Sequence, residues 1–426
     1  MTASRNTYSK EIPTADVREF VLPNGIRIVS ERISGAASVA MGVWIGAGSR
    51  DETPDEYGTA HFIEHVVFKG TKHYSMREIM QLVESRGGML NAFTTKEQTC
   101  YYTWTRIPYL EDAFSIVSDL VLYPAFSPSS IIKERGVISE EILGLEDEPD
   151  ELVFDLLEET IFAKNGLAHP VIGTVDSISK ATGKSLRTFH SKYYAANNII
   201  IAASGAHSHS EFFRLAKKYF SAAESKTLIF DRQEVPQELA KGKRKKIKRE
   251  GSGQTHLILG GSSLGMNDER LPTLSVLITL LGAGMSSRLN LRLREELALA
   301  YETTAFHSPF AEAGVIGLYA AITGRNTKKT EEEMRKILRG LFTKPVNADE
   351  LQRTKEQVIG SILLGLESTT ARLMRMGTHL YYYKRYETLQ SEIAKVMAVT
   401  KKNVNDLAEE IFGDETKLSV VSIASH

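Results

Sequence analysis

Two histidines and a carboxylate, His61, Glu64 and His65, fall within the five residues "HFIEH". On an α-helix, positions i, i+3 and i+4 leave from one face, so these three side chains can converge on one point. Imidazole nitrogen is a ready zinc ligand, and catalytic zinc sites commonly combine three protein ligands with an open fourth position. His61 and His65 would supply two ligands and Glu64 a base acting on water, so the third ligand must come from elsewhere in the chain. A helix that carries two histidines and no metal is the competing reading of these five residues taken alone.

The elements that must position this stretch belong to a long chain. At 426 residues it exceeds one ordinary core, and two domains are expected. Hydrophobic residues make up 42% and charged residues 25%, with a formal net charge of -1. That balance is the profile of a globular protein and offers no bulk attraction for nucleic acid. No stretch reaches the length of uncharged apolar residues that a membrane span requires. One cysteine, Cys100, excludes an intrachain disulfide and fits a reducing compartment. The N-terminal stretch has no apolar targeting segment, and its acidic residues argue against a transit peptide. A cytoplasmic location, that of a bacterial cytosol, follows as the expectation.

Laid against itself, the chain shows a repeat. "ILGLE" at 142–146 recurs as "LLGLE" at 363–367, and at the same offset of 221 Pro124 falls on Pro345, Val137 on Val358 and Ile138 on Ile359. The order of strands and helices around the two copies also agrees, with "NNIIIAASG" and "KLSVVSIA" as final apolar strands. Two homologous α+β domains are expected, 1–221 and 251–426, joined by a linker over 222–250 that contains the basic run "KGKRKKIKRE" and leads into the first strand of the second domain. Where the repeat fails, it fails at Glu141, whose counterpart is Ile362. The first copy thus holds a carboxylate where the second is apolar.

With these motifs in view, the chain resembles the pitrilysin or insulinase family of zinc peptidases, the inverzincins, and within it is most similar to the β subunit of the mitochondrial processing peptidase and its bacterial homologues. The resemblance spans nearly the whole length. That family pairs H-x-x-E-H with a distant glutamate inside E-R-x-V-I-x-x-E; here "ERGVISEE" places Glu134 and Glu141, the latter after 75 residues intervening from His65. By resemblance Glu141 is the third ligand beside His61 and His65, with one Zn2+ per chain, and Glu64 is the base. Glu134, seven residues before Glu141 and on the same helix face, is expected to orient a ligand. Glu140 points about 100° away from Glu141 and is expected to face solvent. The fold implied is two α/β-layered domains, each a mixed, largely antiparallel sheet covered by helices, of the mitochondrial-processing-peptidase/LuxS-like metallohydrolase type. The second is a domain without metal.

The same resemblance implies a peptide or unfolded protein as substrate, bound as an added strand within a chamber. "NAFT" puts Asn91, Ala92 and Thr94 on the edge strand that takes the peptide backbone. Phe68 matches a residue lining the pocket just past the scissile bond, and Glu151 with Asp155 match an acidic pair that holds an upstream arginine. Their competing reading is an acidic helix start stabilised by the helix dipole. In the second domain Arg294 and Tyr301 stand at the spacing used for substrate or transition-state contacts. The chain supplies half the domains of a full-length pitrilysin-type enzyme, so a homodimer is expected, with Arg294 and Tyr301 of each protomer serving its partner's zinc. The alternative is a catalytically silent structural subunit, or a peptide-binding module, of the same fold.

Overall fold

The computed structural model describes residues 15–235, 242–249 and 253–425. Residues 1–14 of the N-terminal stretch read for targeting signals lie outside them, as do residues 236–241 and 250–252 of the linker and its flank; the rest of that stretch, from Asp16, is strand. Among the described residues no helix is long and apolar enough to cross a membrane.

The chain forms two compact units. The first holds a six-stranded sheet ordered β1-β2-β6-β3-β5-β4, made by β1 Asp16–Val21, β2 Arg27–Arg32, β3 Ser38–Ile45, β4 Met89–Thr94, β5 Thr99–Arg106 and β6 Ile199–Gly205. All neighbours are antiparallel except β2 and β6. The central strands β3 and β6 are nearly continuous apolar runs, as both faces of the sheet are covered. Cys100 is buried in β5. The strand β4 lies at the edge, joined to β5 by the tight turn Thr95–Gln98, in which Thr95 N–H donates to the Gln98 carbonyl at 2.8 Å.

Helix α1, Thr59–Val67, packs against β4, β5 and the helix Gly183–Tyr193, and helix α2, Leu110–Leu122, packs on β3 and β5. Helix α3, Pro128–Glu146, buries Ile131, Ile138 and Ile142, with Glu134 in the same stripe. A carboxylate on an apolar stripe must be partnered. The last three residues of α3 belong to the second unit.

In that unit β7 Arg244–Arg249, β8 Thr255–Ser263, β9 Ala300–Pro309, β10 Gly314–Ile322 and β11 Ser419–Ser425 form a sheet ordered β7-β11-β8-β10-β9. Its pairings repeat those of β2-β6-β3-β5-β4, including the one parallel pair, β7 with β11. The internal repeat is therefore a repeat of topology. Residues 244–249, expected within the linker, are a strand. Edge strands that expose charged side chains resist pairing with other chains, and β7 carries Arg244, Lys245, Lys246, Lys248 and Arg249. Arg244 pairs with Glu331 and Lys245 with Glu159.

The units do not follow the two halves of the sequence. Helix α4, Pro149–Phe162, comes from the first half but belongs to the second unit, where Val153, Leu156 and Leu157 pack with Ile258, Val421 and Ile423. Helix α5, Ala348–Gly365, corresponds to α3. The helix after it, α6, Thr369–Tyr383, corresponds to α4 and covers the first unit's sheet, with Leu373, Met376 and Leu380 against Ala40, Trp44 and Ala202. Each sheet thus receives one helix from the other half.

Candidate metal centre

The site is built on α1. Phe62, Ile63, Val66 and Val67 are buried, while His61, Glu64, His65 and Phe68 are only partly covered and form a second stripe at i, i+3, i+4 and i+7. The helix starts sharply at Gly58, where φ is +86° and an added methyl would overlap the Ile172 carbonyl oxygen and the Ile178 side chain. From the preceding loop the buried carboxylate of Glu52 accepts the Gly58 N–H at 2.8 Å and the Ala60 N–H at 2.7 Å. Burial pushes the Glu52 carboxyl well above the usual carboxylate range, and these two N–H groups pull against that rise. Glu52 thus satisfies backbone donors that the helix itself leaves unpaired.

Helix α3 brings Glu141 to this stripe. Glu141 Oε1 lies 3.9 Å from His61 Nε2, and Oε2 lies 3.5 Å from His65 Nε2. One ligand atom from each residue can be chosen so that all three fall within 4.8 Å of one another. Tetrahedral zinc with bonds of about 2.0–2.2 Å separates its ligand atoms by roughly 3.3–3.6 Å, so the widest-spaced of the three would draw in by about 1 Å to seat the ion. The donor set fits chemically as well. Burial, with His65 nearby, pushes the His61 pKa down to about 3, which leaves its imidazole neutral with a lone pair to give.

Glu134 stands behind His65. Its Oε2 is 3.4 Å from His65 Nδ1 and its Oε1 is 3.0 Å from Lys69 Nζ, with the Glu134 side chain 5% exposed. At 3.4 Å the Oε2–Nδ1 contact is not a formed hydrogen bond, and Oε2 is a buried oxygen without a hydrogen-bond partner among the described residues, within reach of the imidazole. Glu64 lies near enough to His65 and Glu141 for their charges to act on it. Burial raises its pKa, while a 2.5 Å hydrogen bond from Thr94 Oγ1 and the nearby His65 oppose the rise. Glu140 is exposed.

The structure therefore brings together His61, Glu64, His65, Glu134, Glu141 and Thr94. Asn91 is exposed and Ala92 half-buried on the edge strand β4. Phe68 closes α1 and tilts against Tyr101, whose hydroxyl shares a 2.8 Å hydrogen bond with Tyr194. The other sequence candidates lie in the second unit. Glu151 is exposed in the first turn of α4 and Asp155 is half-buried one turn on. Arg294 is exposed on a π-helical segment, Leu291–Glu296, and Tyr301 is 76% exposed at the start of β9. Wound-out turns of this kind are rare and recur at functional sites.

Sequence reasoning missed Glu52, Lys69 and the hydroxyl bond of Thr94. Lys69 had a readable signal, since it follows His65 by four residues and continues the stripe. The other two did not. It also missed a buried knot away from the site, where Ser30 Oγ meets His207 Nε2 at 2.6 Å and His209 Nδ1 at 2.8 Å.

Comparison with known proteins gives the family of the chain. Residues 27–175 match the family "Insulinase (Peptidase family M16)", and residues 180–358 match "Peptidase M16 inactive domain". The chain is 35% identical over 406 residues to a Bacillus subtilis protein named uncharacterized zinc protease YmxG, covering 95% of this chain and 98% of that one. It is also 35% identical to an uncharacterized zinc protease of Streptomyces coelicolor, over 95% of this chain and 89% of that one. Among solved structures, a Helicobacter pylori protease superposes with a TM-score of 0.88 at 22% identity, covering 97% of this chain and all of the other. A Pseudomonas fluorescens structure described as a peptidase M16 inactive domain gives 0.89 at 19% identity, covering 96% and 98%. At these identities the solved structures speak for the fold.

Proposed function

Because the chain belongs to peptidase family M16, the insulinase family, we propose that it is a zinc-dependent metalloendopeptidase that hydrolyses short or unfolded peptides. The observation that carries this reading is the convergence of His61, His65 and Glu141 within 4.8 Å, with the Glu64 carboxylate beside them. His61, His65 and Glu141 would hold one zinc ion per chain. When bound, zinc supplies a Lewis acid for a peptide carbonyl and for an attacking water. Glu64 takes the proton from that water and delivers it to the leaving amine, a task suited to a carboxylate whose basicity burial has increased. Glu134, tied to Lys69, holds His65 with Nε2 turned inward.

Among the described residues no strand covers the outer edge of β4 beside α1, so the substrate is read as an extended chain that adds one strand to the sheet, displacing the Asn91 Oδ1 that accepts the Ala92 N–H at 2.8 Å. Asn91 and Ala92 lie along that strand, Phe68 receives an apolar side chain after the cut, and Glu151 with Asp155 receive an arginine before it. The working unit is a cytosolic homodimer in which Arg294 and Tyr301 of one protomer stabilise the oxyanion formed at the other's site.

The test joins metal analysis to a peptide-library digest. Purified protein should hold about one zinc per chain, chelation should stop cleavage, and Glu141→Gln should shed the metal while Glu140→Gln keeps it. A chain that retains zinc and captures peptides without cutting them would instead be a binding module or a structural subunit.

A further inference from the structure

Glu64 has to present one carboxylate oxygen to water from a partly covered position on α1. Its other oxygen, Oε2, accepts the hydroxyl proton of Thr94 at 2.5 Å. A hydroxyl has one proton to give, and a carboxylate held through one oxygen keeps the second free.

We propose that Thr94 is a positioning residue for the base: its hydroxyl clamps Oε2 of Glu64 so that Oε1 faces the reacting water. This rests on the reading of Glu64 as base, and it differs from the role that strand addition alone would give Thr94. A peptide adding to β4 pairs with main-chain N–H and C=O groups, which leaves the threonine side chain unused. Side chains alternate along a strand. Phe93 joins the cluster under α6, so Thr94 and Ala92 point to the opposite face, where α1 lies.

The turn that follows Thr94 is fixed far more firmly than a hairpin requires. The Thr95 carbonyl accepts the Ser49 N–H at 3.2 Å, and the Lys96 carbonyl accepts the Arg50 N–H at 2.7 Å. Lys96 Nζ donates to the His169 carbonyl at 2.5 Å. Glu97 is buried, paired with Arg50 at 2.6 Å and hydrogen-bonded by Tyr382 at 3.0 Å. Gly48 lies so close beneath the turn that an added methyl would overlap the Thr95 carbonyl oxygen. Buried charges of this kind are costly where shape alone is needed. Here they hold the end of β4 in register with α1, and Thr94 is the residue that reaches across.

Thr94→Val keeps the shape and removes the hydroxyl, and Thr94→Ser keeps the hydroxyl. The valine variant should hold zinc as wild type does and lose kcat by about 10- to 100-fold, the range seen when partners behind an active group are removed, with KM little changed. The serine variant should restore most of the rate. Measured in a Glu64→Gln background, where turnover is off, peptide Kd should not respond to Thr94→Val. In zinc-free protein, Thr94→Val should lower the urea midpoint when Glu64 is present and leave it unmoved in Glu64→Ala, since the lost bond leaves a half-buried carboxylate oxygen without its donor only in the first case. Wild-type rates in the valine variant, a loss confined to KM or peptide Kd, or failure of serine to rescue would each overturn the inference and leave the peptidase reading standing. A wild-type protein that cleaves no peptide would sink both.

Discussion

The pairing of Glu134 with both His65 and Lys69 makes a quantitative prediction. Glu134 offers one oxygen to each neighbour, Oε1 at 3.0 Å from the ammonium and Oε2 at 3.4 Å from the imidazole Nδ1, and in the zinc-loaded protein the second contact is expected to shorten into a hydrogen bond. Glu134→Gln keeps the volume but leaves only one acceptor oxygen, and its amide NH2 is a donor that neither neighbour can use. His65 and Lys69 must then compete for that oxygen. A hydrogen bond to a charged group contributes roughly 1.5–3 kcal/mol and one between neutral groups about 0.5–1.5 kcal/mol, so His65 loses on the order of 1–2 kcal/mol of orientation. Zinc Kd should rise by about 5- to 30-fold. The double variant Glu134→Gln/Lys69→Met removes the competitor, so it should bind zinc more tightly than Glu134→Gln alone. The assay is competition against a chromophoric chelator, with circular dichroism to check that each variant is folded. A Kd for Glu134→Gln within twofold of wild type would refute the orienting role, a loss as deep as that of Glu141→Gln would make Glu134 a ligand, and no recovery in the double variant would refute the competition.

Glu64→Gln should keep zinc and lose turnover by at least about 100-fold, because general-base catalysis commonly contributes 10²–10⁴; retained activity would remove the base from this residue. The same change should stabilise the zinc-free protein. Burial raises the Glu64 pKa above 4.5 in the folded state, so its proton contributes stability that is complete below the unfolded value and is lost as pH rises through the folded value. At pH 7 the zinc-free glutamine variant should therefore melt above zinc-free wild type, with the gap narrowing as pH is lowered towards 4. If Glu151 and Asp155 hold a basic side chain, peptides with arginine shortly before the cut should be preferred at low salt and less so as ionic strength shortens screening to about 8–10 Å; equal cleavage of arginine and alanine peptides would remove that role. Inactive His65→Ala and Arg294→Ala subunits, mixed and allowed to exchange, should regain activity through one complete site per mixed dimer, and a mixture that exchanges yet stays inactive would place Arg294 elsewhere in the mechanism.

Much of the centre was legible because helical spacing converts residue number into direction. Offsets of three and four from His61 place Glu64 and His65 on one stripe of α1 with it, and an offset of seven places Glu134 and Glu141 both on the side of α3 that meets His65. The alternation of "GGMLNAFTTKEQTCYYTW" likewise marked the hairpin β4–β5. The offset of 221 marked a repeat that the second sheet reproduces in the order of five of the first sheet's six strands, β1 having no counterpart among the described residues.

What spacing could not convey is which distant segment meets which. Glu52 reaches the first turn of α1 from a loop, Thr94 meets Glu64 from a hairpin 30 residues away, and each sheet takes a helix from the opposite half of the chain. The basic run around 244–249 has the composition of a solvated linker, and only pairing with β11 makes it an edge strand. By itself the sequence determined the donor types, their faces and the order of elements, because those depend on local geometry and the identity of side chains. The tertiary structure alone decided the partners of the buried carboxylates and the exchange of α4 and α6, because these depend on burial, and burial is set by contacts between segments far apart in the chain.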